Sequence, residues 1–257
     1  MSAVAKDAQG RSTRAAPRAA AVRVLDADPD LGAGIDQAEW QAAAAASAAP
    51  EFVFERGPWR FDPVVEPGGF GALIIEGLIL IRIDAGGRSH IEILGMGDAT
   101  SPWVGTGADL SAPTVVTASV VSRARVALLN RRFALRTARW PEIHAAVLGR
   151  CIERSRRLSL QSAINALPRI EERVEVTLWE LASRFGRVTR EGIVVDLPIS
   201  HSQLADIVAA QRPSVSTAVV RLEDRGRIVR SSRRRVLLRG GPPAMLSSLA
   251  RQSGLEA

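Results

Sequence analysis

Tyrosine is absent, and lysine and cysteine each occur once, as Lys6 and Cys151. A lone cysteine builds no internal disulfide, Cys-rich zinc site or four-thiolate iron–sulfur cluster, so a reducing, cytoplasmic setting is expected. The histidines, His90, His144 and His201, are dispersed with no His-x-His pair, which argues against a metal site. Long apolar runs are missing too. The most apolar stretch, residues 71–83, is broken by Glu76 and Arg82 and falls short of the ~20 residues a membrane-spanning helix needs. The opening MSAVAKDAQGRSTRAAPRAA has no apolar centre of the kind a signal peptide carries.

What is present suffices for one large core or two smaller ones: 257 residues, 46% apolar and 24% charged. Lys and Arg number 34 against 27 Asp and Glu, a net charge of +7 carried almost wholly by arginine. The planar guanidinium fork suits phosphate, and a basic balance favours a polyanionic partner, nucleic acid or an anionic membrane surface.

Residues 1–22 are rich in Ala, Arg and Ser without apolar period and read as a flexible basic tail. A short, mostly alanine helix is predicted over 37–49. Alternation begins near Phe52, and Ile79, Ile81 and Ile83, followed by Asp84-Ala85-Gly86-Gly87 and then Ile91 and Ile93, spell a β-hairpin. Further short strands are read at Phe52 to Phe54, Val64-Val65, Leu73 to Ile75, Val115 to Thr117 and Val126 to Leu129. Many short strands between Gly and Pro punctuation suggest a small barrel or jelly roll.

The β character then stops. Residues 141–166 have no proline after Pro141 and one glycine, Gly149, and predict one long helix. Val147, Cys151, Leu158 and Ser162 form a narrow seam on it, with Arg150, Arg154, Arg156 and Arg157 for its flanks. Such a seam fits a partner helix or the flank of its own barrel. Leu167-Pro168 ends this helix and marks a hinge; a second helix follows to about Phe185, closed by Gly186.

In SHSQLADIVAAQRPSVSTAVVRLE, Ser200 and Gln203 make a capping-box signature. Leu204, Ile207 and Val208 supply one apolar stripe, Ala209-Ala210-Gln211 a short turn, and Val215, Val219 and Leu222 a second stripe: a helix-turn-helix pattern. Ile228-Val229 and Val236 to Leu238 flank a polar, arginine-rich run and read as a wing. From position 200 onward ten arginines face four acids, the excess DNA binding requires.

At this segment, LADIVAAQRPSVSTAVVRLEDRG above all, the chain resembles the Crp/Fnr family of transcription regulators, a likeness covering about residues 50–240. The resemblance implies an α+β fold: a β-roll (cyclic-nucleotide-binding-domain-like jelly roll) over 23–140, a dimerisation helix over 141–167, and a winged helix-turn-helix over 168–257. It further implies a homodimer, double-stranded DNA with two-fold symmetric half-sites, and RNA polymerase as a partner if the protein activates. Arg212, Ser214, Ser216, Thr217 and Arg221 would face DNA, with Ser200 at the first helix's start. Arg212 suits bidentate guanine contact, or else phosphate; Arg233, Arg234 and Arg235 suit phosphate. Ala209 stands where the motif usually has glycine, costing of order 1 kcal/mol if the backbone requires positive φ.

The family's nucleotide cradle is not matched. In GMGDATSPWVGTGADLSAPTVVTAS, Asp98 follows Gly97, yet no arginine occurs between Arg88 and Arg123, leaving a cyclic phosphate without a cation. A cyclic nucleotide is therefore not expected, and with no cysteine and only His90 in the N-terminal half, neither is haem or an iron–sulfur cluster. Cys151 reads as a packed small residue, His90 as a surface residue on the hairpin's outer face, and Trp59, Trp103 and Trp140 as core. Two alternatives stand: a DNA-binding or architectural regulator needing no ligand, and a cupin-like metalloenzyme, which the dispersed histidines disfavour.

Overall fold

The computed structural model describes residues 20–59, 68–100, 105–106 (backbone only), 114–230, 232 and 235–243. In chain order its elements are β1 (Ala20–Arg23), α1 (Val24–Ala27), a 3-10 turn (Pro29–Gly32), α2 (Trp40–Ala46), β2 (Ala48–Phe54), β3 (Gly57–Pro58), β4 (Gly71–Ala85), β5 (Arg88–Leu94), β6 (Ala99–Thr100), β7 (Gly105–Thr106) and β8 (Thr114–Leu129). There follow α3 (Arg131–Thr137), α4 (Pro141–Asn165), α5 (Ile170–Phe185), β9 (Gly186–Thr189), β10 (Gly192–Asp196), α6 (His201–Ile207), α7 (Arg212–Asp224), β11 (Ile228–Arg230) and β12 (Arg235–Leu238).

The first eight strands make one antiparallel β-roll sheet, ordered β1-β2-β8-β4-β5, with β3 and β7 on β8 and β6 on β4. Gly86 and Gly87, both at positive φ, link Ala85 to its partner Arg88, the two-residue turn that right-twisted strands favour. The short strands expected at 73–75 and 79–83 are a single strand, β4. Gly77 makes a bulge there instead of a turn: its φ is +91°, and a Cβ would lie 2.3 Å from the Arg123 carbonyl on β8. Likewise 115–117 and 126–129 are the two ends of β8, while Val64-Val65 lies outside the described residues.

Two N-terminal boundaries change. Residues 20–22, assigned to a flexible tail, are strand, because Val22 pairs with Ala49 of β2. The alanine helix stops at Ala46, not 49: the buried Ser47 donates to the Ala44 carbonyl at 2.8 Å and accepts from Leu25 N at 3.2 Å, turning the chain into β2.

The long helix forms as expected, with proline in its first turn; of the expected seam, Cys151, Leu158 and Ser162 face outward while Val147 turns inward. Ile143, Val147 and Ile164 are buried on its inner side. Arg150 reaches Asp28 at 3.2 Å, Arg154 grips Glu92 with two bonds of 2.7 Å, and Arg157 donates to Asp98. These arginines share the inner face at spacings of three and four, so they bind the roll instead of flanking a seam. The outward stripe is Leu148, Cys151, Ile152, Ser155, Leu158, Ser159 and Ser162, all exposed. Cys151 is thus not packed within its own chain.

The C-terminal unit packs α5, α6 and α7 on a four-stranded sheet, β11-β12-β10-β9. Gly186 ends α5 as expected, yet it opens the β9–β10 hairpin, which no apolar period announced. The core of this unit is continuous with the roll, since Leu80, Ile91 and Ile93 pack in one cluster with Leu178, Leu181 and Leu204. Arg82 of β4 bonds Asp206 of α6 across the same seam. His90 is half-buried, and burial lowers its imidazole pKa, so it is not the surface residue expected. Trp59 and Trp140 do fill cores; Trp103 lies outside the described residues.

Candidate nucleic-acid interface

Ser200 caps α6: its hydroxyl accepts from Gln203 N at 3.2 Å while Gln203 Oε1 accepts from Ser200 N at 2.8 Å. The chain then turns through Ala209, whose φ of +52° is the sole positive value at a non-glycine among the described residues. Arg173 of α5 bonds the carbonyls of Val208 and Ala209 and holds the turn. Val215, Ala218, Val219 and Leu222 bury one face of α7. The opposite face presents Arg212, Pro213, Thr217, Val220 and Arg221 to solvent, with Ser214 and Ser216 half-buried at its border. Val220, 48% exposed, was missed from sequence, although it lies three residues beyond Thr217 and next to Arg221, where helical spacing puts it on their face.

The arginine excess is redistributed. Arg225 bonds Glu171, Arg227 bonds Glu175 at 2.5 Å, Arg230 grips Glu223 at 2.7 and 2.6 Å, and Arg235 reaches Asp196 at 3.0 Å. Glu171, Glu175 and Asp196 lie before position 200, so a count over the motif alone overstates the charge turned outward. Arg212, Arg221 and Arg239 carry no side-chain hydrogen bond or ion pair among the described residues. Arg233 and Arg234 lie outside those residues.

His201 sits where α6, α7 and β11 meet. Its Nδ1 is 3.0 Å from Ser216 Oγ and its Nε2 is 3.2 Å from Arg230 Nη1. Burial, then the cations Arg230 and Arg212, hold its pKa below the ordinary 6.5, Glu223 opposing them. Beside it opens a cavity of about 880 Å³ lined by Ser200, Arg212 and Arg230, with Leu204 and Val219 among its apolar walls.

Among the described residues no cluster of three or more His, Cys, Asp or Glu could hold a metal ion, and no helix is long and apolar enough to cross a membrane. Residues 101–104 and 107–113, in the middle of the unmatched nucleotide cradle, lie outside the described residues.

A family model for the Crp-like helix-turn-helix domain matches residues 172–240. No curated protein sequence matches the chain. Among solved structures, FixK2 from Bradyrhizobium japonicum aligns at TM-score 0.59 and 19% identity, covering 78% of this chain and 96% of that one. TTHB099, a CRP-family transcriptional regulator from Thermus thermophilus, aligns at TM-score 0.54 and 25% identity, covering 79% and 96%. A CooA mutant from Carboxydothermus hydrogenoformans aligns at 0.59 and 15%, covering 78% and 87%. With an antiparallel β-roll, a long helix and an exposed Crp-like helix-turn-helix domain in one chain, the protein is a DNA-binding transcription regulator similar in fold to solved regulators of the Crp/Fnr type.

Proposed function

We propose that two copies of this chain bind one duplex in the cytoplasm, each laying α7 in the major groove of a half-site, and that the protein regulates transcription without being an enzyme. The observation that carries this is α7 itself, a helix packed on one face whose other face offers the guanidinium groups of Arg212 and Arg221, unpaired among the described residues. At the first position of α7, Arg212 suits a bidentate guanine contact. Ser214, Ser216 and Thr217 reach bases or phosphate, Ser200 reaches phosphate, and Arg233 and Arg234 add phosphate contacts on the wing. Arg235 serves there only after leaving Asp196.

Dimerisation is supported by the outward stripe of α4, where Leu148, Ile152, Ser155, Ser159 and Ser162 recur at spacings of four and three, the period of a paired-helix seam. Two-fold symmetry then sets half-sites about 34–36 Å apart. If the regulator activates, RNA polymerase is its further partner. It needs no metal, haem or iron–sulfur cofactor, and any effector in the β-roll is a small molecule other than a cyclic nucleotide. Selection from randomised DNA, with sedimentation of the bound species, tests the reading. A two-fold motif held by a dimer is expected; no motif, or a motif bound by a monomer, overturns it.

One observation favours a second reading, regulation without an effector. Trp59, Ile74, Ile79, Ile81, Leu94 and Val126 pack together inside the roll, and Asp98 is engaged by Arg157 and Arg184. Protein unfolded, stripped of small molecules and refolded binds the selected site as tightly as the native preparation under this reading, and weakly under effector gating.

A further inference from the structure

We propose that Glu223, Arg230, His201 and Ser216 form a one-way hydrogen-bond chain that leaves the Ser216 hydroxyl proton free as a donor, so that Ser216 selects a base edge bearing an acceptor. The inference rests on the reading of α7 as the DNA-facing helix. Its direction follows from the donor inventory. A guanidinium has only donors, so at 3.2 Å from Arg230 Nη1 the Nε2 of His201 accepts. The imidazole is then neutral with its proton on Nδ1, and at 3.0 Å that nitrogen donates to Ser216 Oγ. A hydroxyl oxygen that already accepts keeps its own proton to give.

Two features keep the chain from reversing. Arg230 is held by two bonds to Glu223, at 2.7 and 2.6 Å, and so cannot swing away from the ring. The other sink for a helical serine proton is the carbonyl one turn back. Thr217 takes that option, donating to Pro213 O at 3.2 Å, whereas among the described residues Ser216 makes no such bond. The groups facing the ring favour its neutral form: burial, Arg230 and Arg212 lower the imidazole pKa against the weaker pull of Glu223. Arg56, between β2 and β3, lines the same cavity.

A freely rotating serine either donates or accepts and discriminates poorly between bases. With one lone pair already filled by His201 and its proton free, Ser216 favours donation to purine N7, guanine O6 or thymine O4 over cytosine, whose major-groove edge offers only the N4 donor. His201 is thus a positioning residue for specificity, acting through Ser216.

The test is selection from randomised DNA at fixed salt with full-length wild type, Ser216→Ala, His201→Phe and His201→Gln. Wild type is expected to disfavour cytosine at one position per half-site by roughly five-fold, the scale of one hydrogen bond. Ser216→Ala loses that discrimination, and His201→Phe loses it at the same position without adding to the Ser216→Ala effect. His201→Gln, whose amide accepts from Arg230 and donates to Ser216, retains it. Should His201→Phe not fold, nitrogen-15 NMR of the wild-type ring decides: an Nδ1–H tautomer supports the chain, an Nε2–H tautomer overturns it. His201→Phe that still rejects cytosine where Ser216→Ala does not also overturns it. If Ser216→Ala leaves the motif unchanged while Arg212→Ala alters it, this inference fails and the α7 reading stands; a wild type that selects no motif sinks the α7 reading itself.

Discussion

Arg184, on the first helix of the winged unit, donates through Nη2 to the buried carboxylate of Asp98 on the β-roll at 2.6 Å. The other Asp98 oxygen accepts from Arg157 of α4, and Gly95 N donates to the carboxylate as well at 2.8 Å. One carboxylate therefore ties roll, long helix and winged unit together. Removing its charge strands two largely buried guanidinium groups, so Asp98→Asn is expected to destabilise the chain by about 3 kcal/mol. Chemical denaturation followed by helix signal measures this, and a loss below about 1 kcal/mol would show solvent reaching the cluster.

Ala209 sits at a φ of +52°, a region that costs an L-residue roughly 1–2 kcal/mol and glycine little. Set against glycine's greater freedom in the unfolded chain, Ala209→Gly should stabilise the protein by up to about 1 kcal/mol. A thermal midpoint lowered by this substitution would mean the turn adopts another conformation in solution.

On α4, Ile152 is 45% exposed in the stripe assigned to the dimer. Ile152→Asp brings two carboxylates toward each other across a two-fold axis, and sedimentation should change from dimer to monomer at micromolar concentration. Helix content should stay constant, because Ile152 belongs to no core cluster among the described residues.

Arg212→Ala should cost each half-site roughly 1–3 kcal/mol on its preferred base pair and relax selectivity there, leaving nonspecific affinity little changed. Arg234→Ala should weaken binding to every sequence and flatten the salt slope by about one for each phosphate no longer neutralised. Binding titrations across salt concentration distinguish the two; a uniform loss for Arg212→Ala would make it a phosphate anchor.

Burial lowers the pKa of both His90 and His201 from the ordinary 6.5, Arg230 and Arg212 assisting at His201 and Glu92 opposing at His90. As pH falls below 6.5 the unfolded chain takes up these protons first. The stability linked to the two neutral rings is full above that pH and is lost as pH drops toward their folded values. Unfolding free energies measured from about pH 7 to 5 should fall less steeply in a His90→Gln, His201→Gln double variant than in wild type. Parallel slopes would show that neither ring is held neutral.

What was legible in the sequence is what short-range chemistry dictates. The Ser200–Gln203 capping box, the Gly86-Gly87 turn, the stop at Pro168 and the buried stripe of Val215, Val219 and Leu222 all depend on residues within a turn of one another. Their spacing therefore carries the signal, and with it the helix-turn-helix and the family resemblance. Tertiary structure decided which charges are spent. Arg150, Arg154 and Arg157 turn inward because Asp28, Glu92 and Asp98 wait there, 122, 62 and 59 residues distant in sequence. Arg225, Arg227 and Arg235 are occupied by acids outside the motif. It also joined residues 71–85 into one strand, since the partner β8 continues past the bulge at Gly77. Charge attraction and strand pairing depend on distance in space, and spacing along the chain holds no record of which distant groups the fold brings within reach.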